Sequence, residues 1–206
     1  AKMIDKFCEY LTNKIRKNMP EVDDERAEVI KYGLQLLVGE VPKIFIMMGI
    51  AWALGILKLT LICFCMMLPY RMYSGGFHLK THLGCIIGTS IMYTGNAFVS
   101  QLLVIPVMWK IVVSVILWVF AIIMIYLYAP ADTEDVPVIA KRERKKRKVI
   151  SYVVVSVMLV CGCVVQNAVI SNMLIVGVLL QSCSISRLAY RVTGNRFGYE
   201  VYYEEC

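Results

Sequence analysis

The chain has 206 residues, 59% of them hydrophobic and 18% charged, with a formal net charge of +7. A soluble domain carries about 45–50% apolar and about 25% charged residues, so the composition argues against an ordinary soluble enzyme and for a membrane protein. Charges gather in residues 1–43, 132–148 and 187–205. The apolar stretches between them are the mark of a chain that enters lipid as helices, whose backbone groups are satisfied within each segment.

The first thirty residues are polar, without the apolar core and small-residue cleavage site of a signal peptide. Residues 4–17 put Ile4, Phe7, Cys8, Leu11 and Ile15 on one helical stripe, with Lys6, Lys14 and Lys17 off it. That spacing predicts an amphipathic helix lying on a membrane surface or on the protein's own cytoplasmic face. A second amphipathic helix starts near Asp23 and Asp24, whose carboxylates suit a helix N-terminus, and runs to about Gly39.

Six membrane segments follow, at about 41–57, 59–70, 83–105, 107–128, 149–166 and 168–189. The first two are short for a span of about 20 residues and, with Lys58 between them, read as a tight or incomplete hairpin. Residues 1–43 carry eight Lys and Arg, the run KRERKKRK at 141–148 carries seven, and the tail adds Arg187, Arg191 and Arg196. Six spans put these regions on one side, which the positive-inside rule makes the cytoplasm. The expected fold is all-α: a polytopic helical membrane protein with about six transmembrane helices preceded by amphipathic N-terminal helices. It forms a single membrane-embedded domain, with amphipathic helices at 1–40 and a transmembrane region at 41–189. That region includes an active-site loop at 70–85 and a basic loop at 130–148; a cytoplasmic tail follows at 190–206.

The stretch YRMYSGGFHLKTHLGC, residues 70–85, holds both histidines, a Gly-Gly pair and a cysteine. Nucleophilic catalysis is one reading. A free thiol has a pKa of about 8.5 and needs an activator, which His78 can supply to Cys85. On a continuous helix the two would lie about 10.5 Å apart along the axis, too far for a hydrogen bond. Gly75 and Gly76 can bend the chain before His78, and Gly84 gives freedom beside Cys85. A loop folded over a helix that begins near Thr81 or His82 would then place Cys85 in its first turn, where the dipole favours a thiolate.

A zinc site is the second reading, because His78, His82 and Cys85 are spaced i, i+4, i+7 and zinc takes N and S ligands. Against it, the acid of an H-E-x-x-H site is missing, and Lys80 is an odd neighbour for a cation. A plain interfacial loop is the third, and spacing alone leaves all three open. The pairs Cys63/Cys65 and Cys161/Cys163 point about 200° apart on a helix and read as core packing. In YAPADTEDVPV, residues 128–138, Asp132 or Glu134 could orient a histidine as a third catalytic member. Asn96, Gln101, Asn172 and Gln181 read as interhelical hydrogen-bonders. No phosphate-cradling loop, dinucleotide fingerprint or nucleic-acid module is visible, so neither a cofactor nor a nucleic-acid partner is expected. The rival from another class is a non-enzymatic peptide transporter or exporter, for which an internal repeat would speak; none is seen.

The run RMYSGGFH followed by six residues and Cys85 resembles the AgrB family, the accessory gene regulator membrane endopeptidases of Gram-positive bacteria. The family pattern of arginine, glycine, histidine and cysteine falls on Arg71, Gly76, His78 and Cys85. YAPADTEDVPV with KRERKKRK, and YGLQLLVGE at 32–40, are similar to further family stretches. The resemblance implies a bacterial cell-membrane cysteine endopeptidase that matures an AgrD-like quorum-sensing propeptide. In it Cys85 would be the nucleophile, His78 its base and later proton donor, and Arg71 and Gly76 supporting residues; Arg71 would hold the substrate's acidic tail or a backbone carbonyl. A homodimer is a family-based expectation, and His82 becomes a bystander.

Overall fold

The computed structural model describes residues 2–19, 23–79, 81–134 and 137–205, and the regular elements among them are helices. It divides into two compact units, residues 1–49 and 50–206.

The first unit holds α1 (Lys2–Asn18) and most of α2 (Asp24–Ala53). On α1, Cys8 is buried while Phe7 is about half exposed, so only part of the apolar stripe is covered. Asp23 caps α2 as its chemistry predicts: its carboxylate accepts the Arg26 N–H at 2.8 Å, and its carbonyl accepts the Ala27 N–H at 2.9 Å. The sequence suggested a break near Gly39, but α2 runs on through Pro42. Proline removes one backbone bond, while the apolar run Ile44–Trp52 favours keeping all the others internal.

In the second unit come α3 (Leu57–Ser74), α4 (His82–Ser90), a π-helical turn at Ile91–Gly95, α5 (Asn96–Leu102), α6 (Val107–Tyr128), α7 (Lys141–Val164), α8 (Ala168–Ser184), α9 (Arg187–Thr193) and α10 (Gly198–Glu205). Helix α8 is the axis of this unit and packs on α3, α5, α6 and α7. Its buried residues are mixed, with Ser171, Asn172, Gln181 and Ser182 beside Met173, Leu174, Ile175 and Val178. Into the bundle α3 turns Thr60, Cys63, Met67, Tyr70 and Ser74, a stripe of three- and four-residue steps and all buried, the last three meeting α8. A Cβ at Gly177 would stand 2.6 Å from the Met67 sulfur, so the absence of a side chain there lets the two helices close.

Polar side chains tie the bundle. Asn96 Nδ2 donates to Met173 O at 3.1 Å, and Asn172 Nδ2 donates to Leu103 O at 2.9 Å. Both are interhelical hydrogen-bonders as expected; Gln101 instead reaches Ala97 O in its own helix at 3.5 Å.

Helices α6 and α7 are long and apolar enough to cross a membrane, and α8 with α9 makes a third if that pair, bent by 68°, counts as one span. That is two to three such helices among the described residues where the sequence suggested six segments. The apolar end of α2 covers only Val41–Ala53, and the third segment is divided by the π-helical turn. The basic run at 141–148 forms the first two turns of α7 rather than part of a loop. Lys and Arg are good helix formers, so the loop ends at Ala140.

Candidate active site

Helix α3 ends at Ser74, and the chain turns sharply at two glycines with positive φ, Gly75 at 75° and Gly76 at 137°. Both meet the segment after α6. Gly76 N–H donates to Ala131 O and Ala131 N–H donates to Ser74 O, each at 2.8 Å, forming an isolated parallel bridge between residues 75 and 131. A Cβ on Gly75 would overlap the Ala131 carbonyl, so the close approach itself demands glycine. From α8, buried Gln181 donates to Ser74 Oγ at 2.8 Å and to Gly75 O at 2.7 Å.

Arg71, in the last turn of α3, reaches over this turn. Its Nη2 donates to Phe77 O at 2.7 Å and its Nη1 to Ser184 Oγ at 3.2 Å. A Cβ on Gly76 would overlap the guanidinium and stand 2.9 Å from Ser184 Oγ. Arg71 therefore holds a backbone carbonyl of the loop, and Gly76 leaves the room for it.

His78 follows, exposed, with its carbonyl accepting from Asn195 Nδ2 at 2.6 Å. Leu79 then lies against α4. A Cβ at Gly84 would stand 3.4 Å from Leu79 Cβ, and one at Gly88 would stand 3.1 Å from Leu79 Cδ1. Gly84 thus acts by its smallness, as the floor on which Leu79 rests. Helix α4 starts where the sequence placed it. Thr81 is its cap, with Oγ1 accepting the Gly84 N–H at 3.1 Å, and Cys85 N–H makes the first helical bond to Thr81 O at 2.9 Å. Cys85, half-buried and not in a disulfide, therefore stands in the first turn of α4, one residue beyond the glycine that seats Leu79.

Asp132 is held by its carboxylate, beside the residue that meets the loop. The neighbouring Ala131 pairs with the glycine turn, while Asp132 Oδ2 accepts from Arg144 Nη1 at 2.9 Å and from Val138 N–H at 2.8 Å. Its Oδ1 is buried without a hydrogen-bond partner among the described residues. Among those residues no three His, Cys, Asp or Glu side chains gather as a metal-binding group. The side chain of His82, the middle member of the zinc reading, lies outside the described residues. Sequence reasoning missed Ser184, Tyr190 and Asn195, whose partners lie 58 to 117 positions away along the chain.

A helical bundle with membrane-length apolar helices, and a histidine and a cysteine carried on a clamped loop and an adjoining helix start, defines the class: a membrane-associated all-α protein with a polar loop beside a helix start. Within that class, the chain belongs to the accessory gene regulator B family, AgrB, whose description matches residues 8–185. It is 31% identical over 189 residues to an AgrB-like protein of Listeria innocua, covering 91% of each chain. A Listeria monocytogenes AgrB-like protein is 30% identical over the same shares. One from Clostridium acetobutylicum is 22% identical over 204 residues, 99% of this chain and 94% of its own. No solved structure matches. Membership places the chain in the accessory gene regulator system, in a family known in general for peptide processing.

Proposed function

We propose that the chain is a cell-membrane cysteine endopeptidase that removes the C-terminal tail of an AgrD-like propeptide and leaves the remainder as a thioester on Cys85. The observation that carries this reading is the three-point seating of the loop before α4. Arg71 holds Phe77 O, Asn195 holds His78 O, and Leu79 rests on Gly84 and Gly88. This seating supports the fold-back that a His78–Cys85 pair requires, since Leu79, the neighbour of His78, lies against the helix turn that bears the thiol.

His78 takes the Cys85 thiol proton, and the sulfur attacks the scissile carbonyl. Collapse of the tetrahedral intermediate breaks the C–N bond, and His78 returns the proton to the departing amine. An acyl-enzyme thioester remains. A thiol within the peptide then displaces Cys85, which recovers a proton, and a thiolactone ring closes. Thioester exchange is close to energy-neutral, whereas converting an amide directly to a thioester runs uphill, so a cysteine nucleophile conserves what hydrolysis would discard. Arg71 and Gly76 act on the loop's backbone and not on the reacting atoms, and Asp132, tied to Arg144 and Val138 N–H, supports the segment that carries Ala131.

In this reading the six apolar segments cross the membrane, both termini and the basic start of α7 face the cytoplasm, and the protein works as a homodimer. The positive-inside rule supports the orientation. The basic turn concentrates an acidic peptide at the inner leaflet by electrostatic attraction. The test uses protein in liposomes with a cognate propeptide and intact-mass spectrometry. A hydroxylamine-labile peptide adduct on Cys85, absent from Cys85→Ala and His78→Ala, is expected; tail release by Cys85→Ala would refute the assignment.

A further inference from the structure

We propose that the segment after α8, residues 186–197, is part of the active-site machinery, with Asn195 a positioning residue that fixes His78 through its backbone. The inference rests on the reading of Cys85 and His78 as the catalytic pair. It concerns a stretch beyond the family match, which ends at residue 185.

The chain bends by 68° between α8 and α9. Ser186 makes the restart, its Oγ accepting the Ala189 N–H at 3.2 Å. After the seven residues of α9, Gly194 ends the helix in the left-handed conformation, φ 68°. Asn195 N–H turns back to Tyr190 O at 2.8 Å, so the cap itself sets the Asn195 backbone. Its side-chain amide then donates twice, to Thr193 Oγ1 at 2.8 Å and to His78 O at 2.6 Å. A carbonyl can only accept, so His78 O requires the amide nitrogen on its side.

The segment grips the loop's other support as well. The buried Tyr190 hydroxyl donates to Ala131 O at 2.9 Å and lies 3.1 Å from Asp132 O, and its ring stacks on Phe197 at 4.1 Å. Ala131 O is also the acceptor for Gly76 N–H. One short helix with its cap therefore touches the histidine loop directly at residue 78 and indirectly through residue 131. Besides Arg71, the loop is anchored by Leu79 and Asn195, and Asn195 acts on His78 itself, through its carbonyl. A misplacement of about 1 Å at a reacting group can cost about 10²-fold in rate.

The test reads the His78–Cys85 relation without a substrate. Full-length protein in liposomes is treated with iodoacetamide across a pH series, and Cys85 alkylation is followed by peptide-mapping mass spectrometry. His78→Ala marks the profile of an unassisted thiol. Asn195→Ala is expected to move the wild-type profile at least halfway toward that of His78→Ala while the melting temperature stays put; Asn195→Gln, which keeps the amide, should recover part of the shift. Should Asn195→Ala fail to insert, the near-isosteric Asn195→Leu is read by the same criterion. Profiles of the Ala and Leu variants that superimpose on wild type, with His78→Ala displaced, would overturn the positioning role alone. A His78→Ala profile equal to wild type would overturn the catalytic pairing and this inference with it.

Discussion

Replacing Gly76 by alanine tests the geometry of the loop at its tightest point. Two costs arise. The residue sits at φ 137°, where a side chain brings strain of about 1–3 kcal/mol. Its Cβ would also overlap the Arg71 guanidinium, which must give up its hold on Phe77 O or Ser184 Oγ. A hydrogen bond from a charged donor is worth about 1.5–3 kcal/mol, so the local cost is roughly 3–6 kcal/mol. Folding stabilities run at about 5–15 kcal/mol, so the loop gives way before the bundle does. At about 1.4 kcal/mol per factor of ten, the seated geometry becomes rarer by a factor of about 100 or more. The assay is the single-turnover rate of tail release from a cognate propeptide in liposomes. Gly55→Ala is the control: Gly55 also has a positive φ, 70°, but a Cβ there meets nothing within 4 Å, so it carries strain without overlap. We expect Gly76→Ala to lose about 100-fold or more while Gly55→Ala releases the tail at the wild-type rate. A Gly76→Ala protein that inserts, melts normally and works within threefold of wild type would refute the argument.

Arg144→Ala leaves the Asp132 carboxylate, whose side chain is 1% exposed, without its cation. Breaking a buried pair costs about 3–5 kcal/mol, and with Arg144 itself 21% exposed about 2–3 kcal/mol is expected, a fall of roughly 5–10 °C in Tm; Arg142→Ala, on an exposed neighbour, should leave Tm unchanged, and equal Tm values for the two variants would count against the pair. Reversing the exposed charges Lys141, Arg142, Lys145 and Lys146 while keeping Arg144 should raise the apparent KM for propeptide and spare kcat, with the difference shrinking in high salt; an unchanged KM in correctly inserted protein would remove the electrostatic role. Gln181→Leu strips donors from Ser74 Oγ and Gly75 O, at about 1–3 kcal/mol for the buried acceptors, and should slow tail release about tenfold or more; wild-type rates would show that the glycine turn holds without α8.

Features set by short-range chemistry were legible in the sequence. Asp23 starts α2 and Thr81 starts α4 because a carboxylate or hydroxyl next to free N–H groups caps a helix whatever the rest of the chain does. Asn96, Asn172 and Gln181 were legible as cross-helix donors, since an amide in an apolar segment must find a partner. The start of α7 was not legible, because charge run and hydropathy mark where lipid begins but not where the helix does. The supports of the histidine loop were not legible for a different reason. Asn195 and His78 are 117 residues apart, and no periodicity connects a polar residue after one helix to a carbonyl before another. Gly84 was misread as a source of freedom because sequence alone does not show that Leu79 needs its surface. The arginine–glycine–histidine spacing itself has a physical reason. An arginine in the last turn of α3 can reach Phe77 O, six residues on, only across the turn, and that path runs through the space a side chain at position 76 would fill. Arg71 and Gly76 are thus two halves of one device, and changing either should displace His78 in the same way.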